Sequence, residues 1–127
     1  MKQIINTENA PAPIGPYNQA IKYNGVLYMS GQIPLDYTTG EIVSESIEHE
    51  THQVFRNIKG ILEAAGCTFD DVLKCSVFVT DINNFARINT VYGTYFNEDT
   101  APARELVQVA ALPRGVNIEI SVLAKVA

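Results

Sequence analysis

The chain has 127 residues, 46% of them hydrophobic and 18% charged, the make-up of one soluble globular domain spanning residues 1–127. At this length folding buries roughly 65–70% of the unfolded chain's surface, enough for a core without disulfide or metal staples. Nine Lys and Arg against fourteen Asp and Glu give a net charge of −5, which counts against a nucleic-acid backbone binder, and no apolar run suits a membrane span or a signal-peptide core, so a cytoplasmic location without membrane or nucleic-acid partners is expected.

The first structured signal is a hairpin, Ala20–Tyr23 and Val26–Ser30 about Asn24-Gly25, the pair that tolerates the positive φ of a type I′ turn. Ahead of it, Ala10–Pro16 holds three prolines and a glycine, so neither helix nor interior strand fits and an ordered arm is expected. Gly31-Gln32-Ile33-Pro34 reads as a strand break, and Leu35 to Val43 as an irregular connection with one short edge strand. From Ser46 to Ala65 the apolar residues Ile47, Val54, Phe55, Ile58, Ile61 and Leu62 follow helical spacing, with Gly66 as the stop. Glu48 and Glu50 fall in its first turn, at the positive end of the dipole.

Val72 to Thr80 alternates as a strand, with Leu73, Cys75, Val77 and Val79 in one row. A second helix is predicted over 84–96, with Asp81, Asn83 or Asn84 as its cap. Leu106–Leu112 and Asn117–Val126 read as two closing strands joined by Pro113-Arg114-Gly115. The order β-β-α-β-α-β-β predicts an α+β fold, a mixed sheet with two helices on one face. In Leu106–Leu112 both rows are apolar, Val107, Val109 and Ala111 against Leu106, Ala110 and Leu112. Two helices cover only one face, so the other is expected to pack against further copies of the chain.

Few residues offer chemistry. His49 and His52 could share a metal with Glu48 or Glu50, but they lie outside the apolar stripe with no third ligand at a matching offset, and a solvated face is the expectation. Cys67 and Cys75 lack the number and spacing of a zinc cluster or disulfide framework and read as structural. Arg104 stands at the mouth of a strand behind Pro102, where a guanidinium presents a fork to a carboxylate or phosphate. The alternative is a surface ion pair with Glu105 or another acid. Glu119, between Ile118 and Ile120, either faces solvent or lies in a pocket; burial would raise its pKa and suit it to move protons near neutral pH.

Four strings in order, Ala10–Ala20, Tyr28–Pro34, Ala101-Pro102-Ala103-Arg104 and Val109–Gly115 with Ile118-Glu119-Ile120, closely resemble the RidA (YjgF-type) imine and enamine deaminases over essentially the whole chain. The resemblance implies a chorismate-mutase-like subunit in a homotrimeric barrel, with clefts between neighbouring copies. It implies cofactor-free and metal-free hydrolysis of 2-aminoacrylate and 2-iminobutyrate-type intermediates to 2-keto acids and ammonia. The family's carboxylate-gripping arginine falls on Arg104, its late acid on Glu119, its tyrosine after Gly-Pro on Tyr17 and its second-helix asparagine on Asn89. Ser30-Gly31 matches the stretch lining the cleft, where a backbone N–H would help hold substrate. Many members carry cysteine where this chain has Leu106, so shared chemistry here proceeds by water attack, with Leu106 supplying backbone and an apolar wall. Two other readings are a metabolite-binding regulatory trimer and a ribonuclease or translation inhibitor; the acidic charge opposes the last.

Overall fold

A computed structural model describes residues 1–127. Its elements are β1 (Gln3–Ile5), β2 (Ala20–Tyr23), β3 (Val26–Gln32), β4 (Leu35–Asp36), β5 (Glu41–Ile42), α1 (Ile47–Ala64), β6 (Val72–Val79), α2 (Phe85–Tyr92), β7 (Ala103–Gln108) and β8 (Ile118–Lys125). Six strands form one sheet in the order β1-β2-β3-β8-β6-β7, and β4-β5 make a small separate ribbon. Only β6 and β7 run parallel, joined by the crossover that carries α2. This is the predicted α+β architecture, a mixed sheet with two helices on one face.

The local signals explain most of it. Asn24 and Gly25 take φ of 49° and 78°, as the type I′ hairpin requires. Ser46 caps α1 by accepting from His49 N–H at 3.1 Å. At the other end Gly66, at φ 76°, donates to Glu63 O and Cys67 N–H reaches Leu62 O, a Schellman closure. Glu50 does more than face the dipole: it is buried and accepts from the backbone N–H and side-chain Nδ2 of Asn117 at 3.0 and 2.7 Å, tying α1 to the entrance of β8.

Four boundaries differ from expectation. Gln3–Ile5 forms an edge strand with no alternation to announce it, held by pairing with β2. The second helix ends at Tyr92, and residues 93–96 turn away from Gly93 onward. Strand β7 is Ala103–Gln108, not Leu106–Leu112, because its parallel register with β6 begins at Lys74 opposite Ala103. Strand β3 in turn continues through Gly31 to Gln32 with a register irregularity.

The helices cover the face on which Cys75, Val77, Val79, Ile118, Ile120 and Val122 are buried. Phe55, Ile58, Ile61 and Leu62 of α1 and Ile88 of α2 fill it, each worth about 1.5–3 kcal/mol of burial. On the opposite face Ile4, Ile21, Tyr28 and Leu123 lie in one cross-strand row, and Phe78 sits between Glu119 and Val107 in another. Ile4, Tyr28 and Val107 remain 53%, 48% and 45% exposed. The uncovered apolar face therefore exists, but it is made by these rows: Leu106 packs against the core, and Val109–Leu112 lie beyond the end of β7.

The N-terminal arm is anchored by one buried amide. Gln19 accepts from Thr7 N–H at 2.6 Å and donates to the carbonyls of Thr7, Ala10 and Pro11. Its neighbour Asn9 crosses α1 at Gly60, where a Cβ would run into Asn9's backbone.

Candidate active site

Arg104 pairs in register with Cys75, so its side chain rises on the helix-covered face at the sheet's β7 edge. There α2 receives it. Nη1 donates to Asn89 Oδ1 at 2.7 Å, and the guanidinium carbon lies 4.7 Å from the ring centre of Tyr92 and 5.6 Å from that of Phe85. Phe85, Asn89 and Tyr92 stand at i, i+4 and i+7 on one helix face, a spacing readable in the sequence that singling out Asn89 alone passes over. No carboxylate lies within 4.0 Å of the guanidinium; the chain's Lys and Arg ion pairs are Lys74–Glu105 and Arg87–Glu48. Glu105, one residue on, points to the other face, accepting from Ser76 Oγ at 2.9 Å and lying 3.4 Å from Lys74 Nζ. That alternation corrects the surface-pair reading of Arg104.

Arg104 and Asn89 open onto a cleft of ≈ 590 Å³, with Pro102, Phe96 and Glu98 along its walls. Beneath it the Tyr92 hydroxyl is buried without a hydrogen-bond partner, and burial raises its pKa strongly. Burial likewise pushes the Cys75 thiol up to about 11, so both stay protonated and uncharged under the guanidinium.

A second group forms elsewhere. Glu119 pairs in register with Phe78, which places it on the face the helices leave bare, opposite to Arg104. Its carboxyl rests against Gly31: a Cβ there would meet Glu119 Cδ at 2.8 Å. Glu119 is half-buried, and burial raises its carboxyl pKa, the pocket alternative of the sequence reading. Tyr17, 49% exposed, lines a small cavity with Gly31, and its hydroxyl accepts from Ile14 N–H at 3.4 Å. Ser30 is used within the chain: its hydroxyl donates to Asn18 O at 2.7 Å and its N–H to Gln19 O at 2.9 Å. It ties β3 to the arm instead of offering a free donor. Leu106 lies on Arg104's face, half-buried against the core, and lines neither cavity.

The remaining candidates separate. His49 Nδ1 meets Ser46 Oγ at 2.7 Å, while the half-buried His52 Nδ1 meets the Tyr95 hydroxyl at 2.8 Å, so the two rings serve different partners. Cys67 and Cys75 are both buried.

The mixed sheet with two helices on one face places the chain among chorismate-mutase-like α+β subunits. The endoribonuclease L-PSP family model matches residues 7–126, and the chain belongs to that family, the RidA (YjgF-type) proteins. It is 54% identical over 124 residues to a RutC family protein of Pyrococcus horikoshii, covering 98% of both chains. It is 44% identical over 124 residues to the mouse protein named 2-iminobutanoate/2-iminopropanoate deaminase, covering 98% of this chain and 91% of that one. A Rid family protein of unknown function from Yersinia pestis superposes with a TM-score of 0.96 at 48% identity, over 99% of this chain and 100% of the other. No helix is long and apolar enough to cross a membrane.

Proposed function

We propose that the protein hydrolyses 2-imino and 2-enamino acids to 2-keto acids and ammonia, at clefts between the copies of a homotrimer. The observation that carries this reading is Arg104: a half-buried guanidinium, oriented by Asn89 and two aromatic rings, with no carboxylate of its own chain to neutralise it. An acidic protein that binds an anion needs such a local positive group. The family relationship to a deaminase supports the same substrate class.

The chemistry asks little of the protein. An enamine takes a proton at its terminal carbon and becomes the imine. Water then adds to C2, giving a carbinolamine; its nitrogen takes a proton and leaves as ammonia while the hydroxyl proton departs to leave the keto oxygen. Arg104 fixes the substrate carboxylate. Glu119, whose carboxyl pKa burial raises, is suited to hold the water and exchange a proton with it. Leu106 offers no thiol, so the nucleophile is water. Orientation and one acid–base group supply about 10²- to 10⁴-fold.

Arg104, held by Asn89, and Glu119, resting against Gly31, lie on opposite faces of one sheet. A single chain cannot bring both to one substrate, so the bare face packs against a second copy whose Arg104 edge meets the Gly31–Glu119 side. Its exposed apolar rows are the surface such an interface would use. The test couples the protein to a serine or threonine dehydratase and follows keto-acid release. Acceleration that disappears in Arg104→Ala supports the reading; no acceleration, or full acceleration by the variant, overturns it.

A further inference from the structure

The turn Leu112–Gly115 breaks a local rule. It is closed by Gly115 N–H donating to Leu112 O at 3.1 Å, with Pro113 second and Arg114 third. Arg114 sits at φ 58° and ψ 19°, the left-handed place that a Pro-led turn ordinarily gives to glycine. Gly115 next to it is left-handed as well, at φ 70°, so the turn needs two such residues in succession and an arginine bears the strain of the first, roughly 1–2 kcal/mol for an L-residue. Aside from Asn24 in the hairpin, no other non-glycine residue in the chain has positive φ.

The side chain this backbone holds is also without a partner. Of the four arginines, Arg56 bonds Gln53, Arg87 pairs with Glu48 and Arg104 bonds Asn89, whereas Arg114 makes no hydrogen bond or ion pair. It lines a cavity of ≈ 80 Å³ together with Tyr17, Gly31, Ile14 and Ile33, the same Gly31 against which Glu119 rests. The space is that of about two or three waters, which suits a carboxylate and a methylene and excludes a nucleotide or a peptide. Arg114 is exposed, and the partly buried Ile33 and Leu35 give the cavity an apolar wall beside a charge-assisted guanidinium–carboxylate pair.

We infer that Arg114 forms a second carboxylate subsite on the Tyr17–Gly31 side of the cleft, so that the preferred ligands are 2-imino acids with an acidic side chain and their dicarboxylic 2-keto products. The inference rests on the proposed function for the identity of the cleft, with Arg104 taking the first carboxylate. In a chain of net charge −5 a preference for the dianion runs against the overall field and needs such a local cation.

The probes are 2-oxopentanoate and 2-oxoglutarate, which differ by a terminal methyl against a carboxylate, titrated calorimetrically into the full-length protein. Wild type binds 2-oxoglutarate about tenfold more tightly, the scale of one charge-assisted hydrogen bond. In Arg114→Gln and Arg114→Gly the ratio falls to about one. Glycine suits the left-handed backbone, so Arg114→Gly keeps a melting temperature within a few degrees of wild type and removes misfolding as the cause. No dianion preference in wild type, or an unchanged ratio in Arg114→Gly, overturns the inference. If dehydratase coupling shows no turnover while the ratio still depends on Arg114, the subsite stands and the deaminase reading falls.

Discussion

Replacing Gly31 by alanine would separate the placement of Glu119 from the stability of the fold. The added Cβ would overlap Glu119 Oε2 and stand 2.8 Å from Cδ and 3.1 Å from Cγ, against ordinary contact from 3.4 Å outward, so the carboxyl must retreat by about 1 Å. The atoms that must yield are the far end of a flexible side chain, and Gly31 has no positive φ that alanine would resist. Stability should therefore fall by less than about 1.5 kcal/mol. The displaced carboxyl is the group proposed to hold water, and a misplacement approaching 1 Å at a reacting centre lowers turnover up to about 10²-fold. The dehydratase-coupled assay should thus show a large loss of kcat in a variant whose thermal midpoint is near wild type. Wild-type turnover, or a variant that unfolds, would refute the reasoning.

Gly60→Ala meets the backbone of Asn9, which cannot yield as a side chain does, and should destabilise by about 1–3 kcal/mol in thermal denaturation and release the arm to proteolysis; an unchanged midpoint would contradict the contact. Asn89→Leu removes the oxygen that orients Arg104 and should raise KM roughly tenfold or more, with a smaller change in kcat. For Glu119 the raised folded pKa means that the charged form is disfavoured in the native state. Its contribution is nil below the unfolded value of 4.5 and opposes folding as pH rises past it. Glu119→Gln should therefore match wild type in melting temperature near pH 4 and equal or exceed it at pH 7, while losing activity; a neutral-pH stability loss would oppose the sign.

How far the chain can be read depends on whether the information is local. The Asn24-Gly25 hairpin, the helix from Ser46 to Gly66 and the strand from Val72 are set by residues near in sequence, and the structure matches them except at Leu73: a register irregularity between Val72 and Lys74 buries Val72 beside Cys75 and turns Leu73 out of the expected row. Gln3–Ile5 is a strand only because β2 lies beside it, and the start of β7 is set by its register with Lys74. The apolar run Val109–Leu112 resembles a strand, yet after β7 ends at Gln108 it makes a single tie, Val109 N–H to Val79 O, before the turn at Pro113. In the site, Arg104 and Glu119 are each conspicuous as charges in apolar strands. That they fall on opposite faces follows from the spatial order β8-β6-β7, which no local pattern reveals. The same holds for Arg114, a turn residue in sequence that the fold brings to Tyr17 and Gly31.

The claim that Arg104 and Glu119 act on one substrate from different copies can be measured by subunit mixing. Arg104→Ala and Glu119→Ala are each expected to be inactive. Co-refolded in equal amounts, they form cleft pairs at random, and about one cleft in four receives an intact Arg104 from one copy and an intact Glu119 from its neighbour. The account predicts recovery of about a quarter of wild-type activity. Mixed oligomers that form and remain inactive would contradict it.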